Sequence, residues 1–135
     1  MKIRVTAAVA VLVSAVVHLY LWFDGVKDQG TVGALFVVNV AAGVVIAVLL
    51  VTWRAWEPLF LAAGFGAATI VAFLVAATVG LFGIETGWSW YAWLAFAAEA
   101  ATIALAGVAL RQEGHLDRLL HSGGTGQHGL RVRPR

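Results

Sequence analysis

Apolar residues fill four long stretches of the chain, from about Val5 to Phe23, Val32 to Trp53, Leu59 to Gly83 and Ser89 to Leu110. Polar residues fall mostly between them. At about 1.5 Å of rise per residue each stretch makes a helix of roughly 28–38 Å, the thickness of a hydrocarbon core of about 30 Å. Core helices of water-soluble proteins seldom run so far without charge. The pattern therefore predicts four transmembrane helices.

The polar links are short. Asp24 to Thr31 joins the first pair, Arg54 to Pro58 the second, and Ile84 to Trp88 the last. Pro58 suits the first turn of the third helix, where its missing N–H costs nothing. Links this short force sequence neighbours to lie antiparallel in space. The expected fold is an all-α membrane protein, an antiparallel up-down bundle of four transmembrane helices. It would occupy residues 1–112, with 113–135 as a partly disordered cytoplasmic tail. In that tail Leu116, Leu119 and Leu120 share one helical face that could lie on the membrane surface. The run from Ser122 to Gly129 cannot bury a core.

Composition agrees with lipid as the solvent. The chain of 135 residues is 61% hydrophobic and 12% charged, with a mean hydropathy of +0.90. A soluble domain carries about twice that charged fraction. The absence of cysteine excludes disulfides, thiolate nucleophiles and cysteine-based metal sites. The first stretch follows Lys2 and Arg4, as in a secretory signal. Its bulky end, Leu19-Tyr20-Leu21-Trp22-Phe23, fits an uncleaved helix better than a cleavage site.

Basic residues set the expected orientation. With the N-terminus in the cytoplasm, Lys2, Arg4, Arg54, Arg111, Arg118, Arg131, Arg133 and Arg135 all lie inside and Lys27 alone lies outside. Tyr20, Trp22, Trp88, Trp90 and Tyr91 would mark the outer interface, and Trp53 and Trp56 the inner one. Arginine over lysine, with abundant alanine, valine and glycine, reads as GC-rich bacterial coding. The expected location is thus a bacterial inner (cytoplasmic) membrane, multi-pass, with both termini cytoplasmic.

Candidate chemistry rests on a few intramembrane polar residues: Ser14, His18, Asn39, Thr69, Thr78, Glu99 and Thr102. Glu99 stands out, because an ionisable group near the midplane costs at least about 3 kcal/mol and should face protein or water. Counted from the outer links, His18 lies roughly 9 Å down, Asn39 roughly 12 Å and Glu99 roughly 16 Å, with Thr78 near the level of His18. Ser14 and His18 share a face with Val11 and Trp22. Asn39, Gly43 and Ala47 form a small-residue stripe, as do Ala92, Ala95, Glu99, Thr102 and Ala106. The expected site is a polar cluster of His18, Asn39, Thr78, Glu99 and Thr102. It can be read as an interhelical hydrogen-bond clamp or as a proton-sensitive or ligand-binding pocket in the outer half.

No metal or cofactor is expected. Bis-histidine haem ligation needs two intramembrane imidazoles, and His18 alone lies within a span. His115, His121 and His128 have no common zinc spacing. No phosphate-cradling glycine loop, nucleophile–base pair or nucleic-acid motif is present.

The segment His18 to Gly25, followed by Thr31 to Asn39, resembles small, uncharacterised four-helix integral membrane proteins of actinobacteria. In that group a histidine ends the first span and a Gly-x-Leu-Phe run, here Gly33-Ala34-Leu35-Phe36, opens the second. Gln29-Gly30 stands where that group has isoleucine-proline. The architecture is similar, more distantly, to DoxX-like proteins. The resemblance implies a fold and a location and no catalytic residue. The function expected from the sequence is a small non-enzymatic membrane component, an accessory or interaction subunit. Its partners would be the bilayer and other membrane subunits or a second copy, and not nucleic acid. The alternative is a transporter or small-ligand-binding protein using the polar pocket.

Overall fold

Each long helix begins and ends for a local reason. In the computed structural model, which describes residues 1–81 and 87–122, α1 (Lys2–Phe23) ends at Asp24, whose N–H donates to the Tyr20 carbonyl. A short 3₁₀ turn at Val26–Asp28 leads into α2 (Thr31–Thr52). Pro58 occupies the first turn of α3 (Glu57–Thr78). Ser89 caps α4 (Trp90–Gln112), its hydroxyl oxygen accepting from the Ala92 N–H at 3.2 Å. A turn at Glu113–Gly114 separates α4 from the short α5 (His115–Ser122), on which Leu116 and Leu120 are exposed.

One boundary differs from expectation. The third apolar stretch runs toward Gly83, whereas α3 stops at Thr78. Gly80 takes a φ of 78°, a left-handed conformation that ends a right-handed helix and that glycine adopts without steric cost. Apolar character alone does not reveal this stop. The expected end at Gly83, Glu85 in the last link, and the tail beyond residue 122 with His128 and the three C-terminal arginines lie outside the described residues.

The described residues form an all-helical bundle. α1 packs along α2 and α4, and α4 packs along α3, while α2 and α3 touch only sparingly. Small residues set the close approaches. A Cβ on Gly43 of α2 would sit 3.0 Å from the Ala15 Cβ of α1. A Cβ on Gly66 of α3 would sit 2.9 Å from the Glu99 carbonyl oxygen of α4. Both small-residue stripes are thereby used inside the chain: Gly43, Ala47, Ala92, Ala95 and Ala106 are all buried. The apolar core, with Ala7, Val11, Leu50, Leu59, Ala62 and Ala106 at its centre, occupies one half of the bundle.

The outward faces are as apolar as the core. Val16, Val38, Phe60 and Val71 are each more than half exposed. All four long helices are long and apolar enough to cross a membrane. At one end of the bundle Tyr20 of α1 and Tyr91 of α4 stack with ring centroids 4.9 Å apart and hydroxyls 3.1 Å apart.

A candidate ligand cavity and its polar wall

The half of the bundle nearer the tyrosine pair is not filled. Where α2 and α3 diverge, they and the α1–α4 pair enclose a cavity of about 440 Å³. Each helix contributes side chains at helical spacing. α2 supplies Phe36, Asn39 and Ala42; α3 supplies Phe65, Thr69, Ala72 and Phe73; α4 supplies Ala92, Phe96 and Glu99; α1 supplies His18. Val38, Ala68 and Ala72 line it and are also exposed, so the cavity reaches the surface between α2 and α3.

Its polar wall is built from α1 and α4. Ser14 and His18, one turn apart, face inward together. The His18 Nδ1 lies 2.8 Å from the Ser14 carbonyl oxygen. A carbonyl can only accept, so Nδ1 carries a hydrogen and Nε2 is left to face Glu99. The Ser14 hydroxyl donates to Glu99 Oε1 at 3.0 Å, and His18 Nε2 is 4.0 Å from the same oxygen. Glu99 is 2% exposed, so its carboxyl has one short hydrogen bond and one longer imidazole neighbour in a region with little water.

The opposite wall carries Asn39. Its Nδ2 donates to Thr69 Oγ1 at 2.9 Å, and Thr69 in turn donates to the Phe65 carbonyl at 2.9 Å. Thr69 has only one hydroxyl hydrogen, so toward Asn39 it can only accept. That fixes the amide orientation and leaves the buried Asn39 Oδ1 without a partner among the described residues. Such orphaned acceptors cost about 1–3 kcal/mol and call for an explanation.

The structure therefore brings together His18, Glu99 and Asn39 around one cavity. The other two residues expected in the cluster lie apart from it. Thr102 is fully buried but donates to the Ala98 carbonyl of its own helix at 2.8 Å. Thr78 is exposed and bonds its own helix at Leu74, 2.7 Å away; matching depth did not bring a matching face. Ser14 and Thr69, outside the expected cluster, are the direct partners of Glu99 and Asn39. For Ser14 the signal was present, since it precedes His18 by one turn on the same face. Among the described residues no three His, Asp or Glu side chains gather as a metal site.

A second polar assembly was missed altogether. Arg4, counted in the sequence among the basic residues of the cytoplasmic end, is fully buried. Its guanidinium donates to both Glu113 oxygens at 2.7 and 2.6 Å. It also reaches the carbonyls of Trp53, Arg54 and Ala55 at 2.9, 3.1 and 2.8 Å. Those carbonyls follow the end of α2 and have no helical donor. One side chain thus ties the start of α1, the α2–α3 link and the turn after α4. The hydrogen bonds from Arg4 hold the Glu113 carboxyl below the usual carboxylate range, partly offset by burial. The available signal was spacing: Arg4, Val11 and His18 recur every seven residues on the inward face of α1.

Comparison with protein-family models, with curated proteins and with solved structures finds no match to this chain.

Proposed function

We propose that this protein is a small integral membrane protein that binds a small, largely apolar ligand in the cavity between α2, α3 and the α1–α4 pair, as a carrier or receptor rather than as an enzyme. The cavity carries this reading. Its volume of about 440 Å³ falls in the range of about 300–1,000 Å³ typical of ligand sites, and its apolar walls with a few polar groups are what such sites use. The accessory-subunit reading relied on small-residue stripes available to a partner. Those stripes are occupied by neighbouring helices of the same chain, so ligand binding is preferred.

The bundle is proposed to sit in a bacterial cytoplasmic membrane with its helices alternating in direction. Four spans of sufficient length and hydropathy support this, as do exposed Lys2, Arg54 and Arg111 near the Arg4 end under the positive-inside rule. That end would be cytoplasmic, and the cavity would lie toward the outer leaflet.

The test is saturable binding of the neutral fluorophore N-phenyl-1-naphthylamine to the detergent-solubilised protein. Ala72 is exposed at the cavity wall, so Ala72→Trp fills the space without disturbing the core. The expected result is a saturable fluorescence rise in the wild type that is absent in Ala72→Trp. An identical, non-saturating rise in both would reflect detergent partitioning and would remove the proposal.

A further inference from the structure

The polar wall of the cavity also limits what the ligand can be. Glu99 brings a carboxyl group, and among the described residues no lysine or arginine lines the cavity. The nearest cationic candidate is His18, whose Nε2 stands 4.0 Å away with the Nδ1 hydrogen committed to a backbone carbonyl. While the imidazole is neutral, Nε2 is an acceptor. Asn39 Oδ1, on the opposite wall, is buried and has no surface open to the cavity. An anionic ligand would meet an acid and an imidazole lone pair.

The rest of the wall is aromatic. Phe36, Phe65, Phe73 and Phe96 come from three different helices and all line the cavity. The ring of Phe36 lies 5.0 Å from that of His18. Phenyl faces carry negative potential and attract cations, most of all where water is scarce.

We infer that the cavity accepts a lipophilic amine in its protonated form, with the ammonium directed to Glu99 and the apolar body against the phenylalanines. This rests on the ligand-binding reading above and adds the charge of the ligand to it. The ammonium would supply the charged donor that Glu99 lacks. The exposed opening between α2 and α3 at Val38, Ala68 and Ala72 gives such a molecule a route in from the side.

A matched ligand series separates the two levels of inference. Binding of 1-naphthylmethylamine, 1-naphthylmethanol and 1-naphthoate to the full chain in neutral detergent is measured by calorimetry, with Ala72→Trp as the control for micelle partitioning. The amine should bind about tenfold tighter than the alcohol, the gain of a charge-assisted bond over a neutral one, and the carboxylate weakest. Glu99→Gln should remove the amine's advantage and leave the alcohol's affinity in place. Equal affinities of amine and alcohol in the wild type, tighter binding of the carboxylate, or an amine preference that survives in Glu99→Gln would each overturn the cationic inference. Alcohol binding that is lost in Ala72→Trp would still uphold the cavity. If none of the three binds saturably, both readings fail. Should Glu99→Gln not fold, the wild-type series decides: an amine bound no tighter than the alcohol overturns the inference.

Discussion

The bundle has two polar centres, and they are built on opposite terms. At the Arg4 end a fully buried guanidinium meets five oxygens, and the surrounding core is close-packed. In the other half Glu99 is almost as deeply buried, yet it has one short hydrogen bond and borders a cavity. A satisfied buried charge is structural glue: removing one partner leaves the others stranded. An under-satisfied one beside a cavity is a cost that a bound molecule can relieve. Variants at the first centre should therefore move stability and spare binding, and variants at the second should do the reverse.

The largest effect should come from Arg4→Ala. It strands the Glu113 carboxylate and three backbone carbonyls, and breaking a buried pair costs about 3–5 kcal/mol. Thermal unfolding in detergent should show a large drop in Tm, partly restored in Arg4→Lys, whose ammonium has three donors for five acceptors. Binding of 1-naphthylmethylamine by the folded fraction should stay unchanged. A wild-type Tm in Arg4→Ala would erase the contrast between the two centres.

A smaller effect belongs to acid. The folded Glu113 carboxyl titrates below its ordinary range because Arg4 donates to it. As pH falls, the unfolded chain therefore takes up the proton first. The stabilisation is complete above the ordinary carboxylate range and is lost as pH drops through the lowered folded value. Glu113 is about a quarter exposed, so solvent screens part of the interaction and the loss should be less than that of Arg4→Ala. A Tm-against-pH profile should have a shallower acid limb in Glu113→Gln than in the wild type. Parallel limbs would show that the pair does not set acid stability.

The smallest effect sharpens the other side. Thr78→Val removes a hydroxyl that is exposed and bonded only within α3. Stability should change by no more than about 0.5 kcal/mol, and saturable binding should be identical to the wild type. A clear loss of binding would return Thr78 to the site and redraw the cavity.

Much of the fold was legible because periodicity and length are local properties. Four apolar stretches, a proline at the head of the third helix and a serine before the fourth are each visible without knowing what packs where. The site was legible in part. Glu99 and His18 announced themselves as ionisable groups in apolar surroundings, and Asn39 as an amide on a small-residue face. Thr78 was grouped with them by depth, which says nothing about azimuth, and Thr102 by the face it shares with Glu99; each hydroxyl found a carbonyl one turn back on its own helix. Arg4 was placed at the cytoplasmic end with no partner assigned to it. A basic residue near the start of a span is ordinarily solvated, and its burial depends on Glu113 and on carbonyls about fifty residues away.

What the sequence determined on its own is the number of long helices, their apolar character and the presence of a buried acid. These follow from side-chain transfer energies and hydrogen bonding along one helix. What only the tertiary structure decided is which polar groups meet and where space is left over. Gly43 and Gly66 draw α1 to α2 and α3 to α4, and with α2 and α3 left apart the cavity opens between Glu99 and Asn39. Those outcomes depend on how four surfaces close on one another, and no single stretch of chain encodes them.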